Sequence, residues 1–218
     1  MLYNFPINMT DKLSDKLEKK ITQETYGLFP TGVTRYQLDN SEELKKKVLL
    51  WMKDQEIVDD HGRRMLCHNI TQVGEKNKIL DDIPELEQAL MKAVGFHNQN
   101  TFNYSCNLAI NEAYVELATE GALYAPHEHS NCLYSLTYFI NYNHENHGFL
   151  KFRRNVLSSM YPVMQVNSNQ LTPYNMPEAT FTMREGDVVI YPSNVTHGYD
   201  SNQTDERITL TANIIPVE

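Results

Sequence analysis

The chain has 218 residues, with 19 basic against 28 acidic side chains and a formal charge of −9. A field of that sign repels phosphate backbones, so no nucleic-acid partner is expected. Hydrophobic residues make up 41% and charged residues 22%, ordinary values for a soluble globular domain, and no apolar run approaches the about 18 residues of a membrane helix. Met1-Leu2-Tyr3-Asn4-Phe5-Pro6 lacks the basic and apolar segments of an export signal, and the three cysteines, Cys67, Cys106 and Cys132, form no C-x-x-C pair, so a reducing cytoplasm is the expected location. No residue pattern bears on the oligomeric state.

Taken in order, Thr10-Asp11 followed by Leu13, Leu17 and Ile21 predicts a short amphipathic helix over residues 8–22. Pro30 and Gly32 interrupt the next stretch, and Val33 to Tyr36 predicts the first strand. Ser41 is placed as the N-cap of a second helix ending near Asp54, with Leu44, Val48, Leu49, Trp51 and Met52 as its apolar side. The Lys45-Lys46-Lys47 cluster falls on this helix and is expected to be a solvated face. Residues 59–78 read as a long polar loop. Asp81-Asp82-Ile83-Pro84 opens a third helix, with Leu86, Leu90, Met91, Ala93 and Val94 buried and Gly95 as its stop.

Beyond Thr101 the pattern changes to strands. They are expected over 102–117, 133–142, 148–152, 179–183, 187–191 and 207–215, with a Ser/Asn/Pro-rich insertion over 155–177. The strand at 133–142 is apolar on both faces and therefore central. Helices first and many short strands after predict a mainly β protein, a sandwich or barrel braced by N-terminal helices.

His127 and His129 lie on one side of extended chain while Glu128 points away, and His197-Gly198 recurs near the C-terminus. Three imidazoles can hold one metal and leave positions open. His144 and His147 flank a turn and are expected to belong to it.

Pro126-His127-x-His129, the strand Ser135 to Asn141, Gly148-x-Leu150-x-Phe152, Glu185 to Pro192, His197-Gly198 and Arg207-x-Thr209 follow one another in an order that resembles the Fe(II)/2-oxoglutarate-dependent oxygenases, in their prolyl-hydroxylase-like branch. Leu28-Phe29-Pro30-Thr31 resembles the opening of a group of 2-oxoglutarate/Fe(II) oxygenases in which an H-x-H pair is familiar. The resemblance implies a double-stranded β-helix of the jelly-roll or cupin-like kind over residues 28–218, with 1–27 as a helical extension. It implies Fe(II), 2-oxoglutarate and O2 as metal and co-substrates, and a peptide side chain or small metabolite as the substrate to be hydroxylated.

Residue by residue, it implies His127, His129 and His197 as iron ligands and Arg207 as the grip on the distal carboxylate of 2-oxoglutarate, with Thr209 adding a hydroxyl. A guanidinium suits that task because its planar fork binds a carboxylate through two hydrogen bonds. Either the Ser135/Thr137/Phe139 face of the central strand or the Tyr134/Leu136/Tyr138 face lines the co-substrate, so Ser135, Thr137 and Tyr138 are candidates. Tyr114, Asn131 and Asn213 are candidates for the substrate side. The departure is His129, which stands where the family usually has a carboxylate; Glu128 could replace it only through a local bulge. Two rival readings remain at this stage: a three-histidine, cupin-like dioxygenase that does not use 2-oxoglutarate, and a non-catalytic metal- or ligand-binding barrel.

Overall fold

The computed structural model of the chain describes residues 30–55, 58–59, 67–69, 78–154, 169–170, 172, 175–204 and 206–218. The helix expected over residues 8–22 lies outside the described residues, as does most of the insertion over 155–177. In chain order the elements are β1 (Thr34–Gln37), α1 (Ser41–Met52), β2 (Val58–Asp59), β3 (Cys67–Asn69), α2 (Lys78–Asp82), α3 (Pro84–Asn100), β4 (Asn107–Ala118), β5 (Tyr124–His127), β6 (Tyr134–Asn141), β7 (Leu150–Arg153), β8 (Glu178–Ala179), β9 (Asp187–Pro192), β10 (Thr196–Tyr199) and β11 (Arg207–Val217).

The strands form two antiparallel sheets. The larger has seven strands in the order β1-β9-β6-β11-β4-β3-β2, and the smaller has four in the order β5-β10-β7-β8. Together they make the mainly β, double-stranded β-helix that the sequence pattern and the resemblance led one to expect.

Strand alternation explains why the large sheet is buried on both sides. Tyr134, Leu136, Tyr138 and Ile140 of β6 and Ile208, Leu210, Ala212 and Ile214 of β11 pack with Leu44, Val48 and Trp51 of α1 and Leu86, Leu90, Ala93 and Val94 of α3. The intervening residues point the other way. There Phe139, Val189 and Tyr191 meet Leu150, Phe152 and Tyr199 of the small sheet. A period of two thus sends one set of side chains to the helices and the other to the interior between the sheets.

Several local expectations need correction. Helix α1 has Asn40, not Ser41, at its N-cap, with no capping bond from the side chain. Within the expected loop 59–78, Cys67–Asn69 pairs with β4 and Val58–Asp59 pairs with Cys67–Asn69. The strand expected over 179–183 is reduced to Glu178–Ala179, whereas β5 and β10 are full strands.

Helix α3 continues past Gly95 to Asn100. A mid-helix glycine costs about 1 kcal/mol, and the contacts made further on outweigh it. His97 is fully buried, its Nδ1 lies 2.7 Å from Thr34 Oγ1, and its ring meets Tyr134 edge-on at 4.8 Å. The basic cluster on α1 is partly committed: Lys45 Nζ lies 2.7 Å from Glu185 Oε2, and Lys47 reaches Glu43 and Glu85.

Burial pushes His97 down to about 4, so the folded protein keeps it neutral. A free imidazole titrates near 6.5. Between these values the unfolded chain binds the extra proton, so this contribution to stability is complete above about pH 6.5 and is lost as the pH falls toward 4. Denaturant unfolding followed from pH 7 to 4 is expected to show this slope, at most about 1.4 kcal/mol per pH unit, and His97→Gln is expected to remove that part of it.

Candidate active site

The small sheet carries the imidazoles. His127 closes β5 and lies directly across from His197 on β10. His129 follows β5, its backbone N–H donating to the Ser193 carbonyl at 3.0 Å. The ligand nitrogens of the three lie within 4.8 Å of one another, the one such group of three metal-ligating side chains among the described residues. Glu128 is exposed and accepts a bond from Thr196 Oγ1 at 2.5 Å, so no bulge turns it inward.

Two residues of β10 span three of β5, from His197↔His127 to Tyr199↔Tyr124, which places a bulge opposite Gly198. A Cβ on Gly198 would lie 2.6 Å from the Tyr124 carbonyl oxygen. The close approach of these strands, and with it the meeting of His127 and His197, depends on that glycine.

Each imidazole is oriented from behind. His127 Nδ1 is 2.9 Å from the Ala125 carbonyl, His197 Nδ1 is 2.9 Å from the Val195 carbonyl, and His129 Nδ1 is 2.6 Å from Asn213 Oδ1. An Nδ1 that donates leaves Nε2 with its lone pair. His127 Nε2 and His129 Nε2 lie 3.1 Å apart, which is repulsive for two lone pairs but is about the separation of two nitrogens held at right angles, each about 2.1 Å from one ion. Burial lowers His127 and takes His197 down to about 3, which favours the neutral form that binds metal. The donor set fits one divalent cation.

The large sheet supplies the floor. Asn213 lies between Glu112 of β4 and Ser135 of β6, Thr211 between Tyr114 and Thr137, and Thr209 between Glu116 and Phe139. Thr137, Tyr114, Glu116 and Thr211 line one cavity with the three histidines, together with Tyr124, Tyr191 and Tyr199. Against Tyr199 of this lining, Arg207 is 1% exposed, and its Nε, Nη1 and Nη2 have no hydrogen-bond partner. The Tyr142 and Tyr199 hydroxyls are likewise buried without partners.

The guanidinium rests over the Tyr199 ring at 3.9 Å, a contact worth about 2 kcal/mol when desolvated. That does not offset the several kcal/mol that a buried charge costs. Burial pushes Tyr142 up to about 12 and raises Tyr199 well above the usual phenol value, so both phenols keep their protons as donors. A polar anion acceptor is what this end lacks, and a carboxylate satisfies it.

Of the residues singled out from the sequence, His127, His129, His197, Thr137 and Tyr114 share the cavity; Arg207 and Thr209 lie on the same inward face of β11. Tyr138 does not belong there: its hydroxyl donates to the Ser41 carbonyl at 3.4 Å on the helix-covered side. Asn131 is an exposed turn residue with φ of 62°. Ser135 and Asn213 are bonded to each other at 3.1 Å, and Asn213 holds His129 instead of facing a substrate. His147 is buried in its turn, accepting from the Asn143 N–H at 3.1 Å, while His144 is exposed.

Sequence reasoning missed Glu112, Glu116, Tyr142, Tyr191, Thr211 and Tyr199. The signal for three of them was present: polar residues at every second position of β4 and β11, on strands otherwise made of core residues.

The fold is a double-stranded β-helix, and its site joins a cluster of three imidazoles to a buried guanidinium. Residues 112–213 match the family model described as "Putative 2OG-Fe(II) oxygenase". No curated protein matches the sequence. Among solved structures, HygX from Streptomyces hygroscopicus, with nickel, 2-oxoglutarate and hygromycin B bound, has a TM-score of 0.62 at 12% identity over 86% of this chain and 84% of its own. The epimerase SnoN, in complex with Fe3+, alpha-ketoglutarate and nogalamycin RO, has a TM-score of 0.63 at 14% identity over 85% and 79%. A prolyl-4-hydroxylase from Pseudomonas putida has a TM-score of 0.52 at 14% identity over 86% and 89%.

Two outcomes check this geometry. Arg207→Met removes a buried unpaired charge, so the ligand-free variant is expected to unfold at higher denaturant, by up to about 1–4 kcal/mol, while losing any stabilisation by 2-oxoglutarate in a thermal shift. Gly198→Ala is expected to cost about 1–3 kcal/mol by overpacking and to weaken binding of Co(II), read by titration, because it parts His127 from His197.

Proposed function

We propose that this protein is a non-haem iron, 2-oxoglutarate-dependent dioxygenase that hydroxylates a C–H bond of a peptide side chain or a small metabolite, with residues 28–218 as its catalytic domain and 1–27 as an appended segment. His127, His129 and His197 would hold the iron through Nε2. Arg207 would take the distal carboxylate of 2-oxoglutarate, with the Tyr142 and Tyr199 hydroxyls as further donors. When bound, Fe(II) with 2-oxoglutarate and O2 supplies the oxidising chemistry: the keto acid leaves as succinate and CO2, one oxygen atom entering the succinate and the other the substrate as a hydroxyl.

The chain's own part is to bind, orient and exclude water. Three neutral imidazoles leave the positive charge of the metal undiminished, which strengthens the pull on an anionic co-substrate. Buried aromatic rings around Arg207 lower the local dielectric and sharpen its selectivity for a carboxylate. Tyr114, Glu116 and Thr211 present hydroxyls and a carboxylate at the cavity wall, where a substrate would be aligned.

The single observation that carries this reading is the buried guanidinium with three partnerless nitrogens, in the same interior as three converging imidazoles. A three-histidine dioxygenase without 2-oxoglutarate would leave Arg207 without a purpose. With iron shown to be bound, the wild-type protein is expected to convert 2-oxoglutarate to succinate in the presence of O2, and Arg207→Ala is expected to lower that conversion at least about 100-fold, the scale of losing a charge-assisted pair of about 3 kcal/mol. Oxygen consumption that is metal-dependent yet indifferent to Arg207→Ala would instead select the three-histidine alternative.

A further inference from the structure

The three imidazoles are not held alike. His127 and His197 each donate from Nδ1 to a main-chain carbonyl two residues earlier in the chain, Ala125 and Val195. Such contacts are local and carry no charge. His129, the residue that stands where a carboxylate is usual, is held by a side chain 84 positions away: its Nδ1 lies 2.6 Å from Asn213 Oδ1. Asn213 Oδ1 also accepts from Ser135 Oγ at 3.1 Å, and its Nδ2 donates to Glu112 Oε2 at 3.2 Å.

We infer that Glu112 and Asn213 are positioning residues that fix the tautomer of His129 and lend it the negative character its replaced carboxylate would have supplied. An ionised carboxylate only accepts hydrogen bonds, so Glu112 takes the NH2 side of the Asn213 amide and compels its oxygen to face His129. That oxygen can only accept, so His129 Nδ1 carries the proton and Nε2 keeps the lone pair aimed at His127 and His197. Glu112 polarises Asn213, and Asn213 in turn polarises His129. A metal-ligating histidine whose far nitrogen donates to a carboxylate is a stronger ligand than one left to solvent; here the carboxylate acts through one intervening amide.

The backbone is built to hold this relay. Glu112, Asn213 and Ser135 are direct neighbours across β4, β11 and β6. Immediately beyond Asn213 the pairing skips Asn111, as Asn213↔Glu112 gives way to Ile214↔Ile110. Such a bulge bends the strand that carries it, and this one falls in β4 beside Glu112, opposite the residue that reaches His129.

The inference rests on His129 being a ligand, and the experiment separates the two. The full-length, metal-free chain would be titrated with Co(II) and followed by visible absorption, alongside thermal melting of each variant without metal. Asn213→Leu is expected to lose about 10–100-fold in Co(II) affinity and to change the visible bands. Glu112→Gln is expected to shift both in the same direction by less, and it serves alone if Asn213→Leu fails to fold. Asn213→Asp combined with Glu112→Gln exchanges carboxylate and amide within the pair and is expected to restore most of the affinity, which a mere packing role would not produce. If His129→Ala binds Co(II) as tightly as the wild type, the three-imidazole reading fails and takes this inference with it. If His129→Ala binds weakly but Asn213→Leu and Glu112→Gln match the wild type in affinity and spectrum, or the exchanged pair restores nothing, the relay alone is overturned.

Discussion

The pairing of β11 with β4 on one side and β6 on the other is the interaction on which the rest depends. Because side chains alternate along a strand, Ile208, Leu210, Ala212 and Ile214 go to the helices, while Arg207, Thr209, Thr211 and Asn213 line the interior. One strand therefore anchors the main core and lays out the polar floor of the site. Neither task could be moved by one residue without spoiling the other, since a slip of one would bury Arg207 among the leucines of α3. The pairing with β6 shifts between Ile208 and Thr209, and the pairing with β4 shifts between Asn213 and Ile214, so Thr209, Thr211 and Asn213 keep one unbroken register with both neighbours.

Much of this was legible in the residues themselves. The apolar spacing of α1 and α3, the doubly buried β6 and the histidines on extended chain follow from local periodicity, which is encoded within a few positions. The family order of His127, His129, His197 and Arg207 brought the site together before any coordinates did. What could not be read was set by partners distant in sequence. Helix α3 passes Gly95 because His97 finds Thr34 and Tyr134, and Tyr138 belongs to the helix side because Ser41 lies there. Asn213 was placed on the substrate side for want of knowing that His129 lies within reach of it. Strand β10 is only four residues long and begins in a turn-rich segment, so its period was too short to register.

The electrostatics of the interior run opposite to those of the whole. A chain of net charge −9 sets the half-buried Lys45, Lys47 and Lys151 beside acids, yet keeps an unpaired guanidinium in its interior. That cation is costly while nothing is bound, and stability given up there is recovered when an anion arrives. Tyr199 beneath it, with its neutral phenol, limits the cost without cancelling the charge. The surrounding phenols and threonine hydroxyls add dipoles that can turn toward whatever enters.

Strand β5 stands at one edge of the smaller sheet and, among the described residues, pairs with β10 alone. His127 ends this strand and His129 follows it, so two of the three imidazoles hang from an edge with main-chain bonds on one side only. Edges of this kind open by local fraying far more often than the whole domain unfolds. The lifetime of the assembled triad is thus set by a few bonds at the rim, not by the deep core behind β11, and a ligand that bridges His127, His129 and His197 would act as a clasp that ties the rim to the body of the sheet.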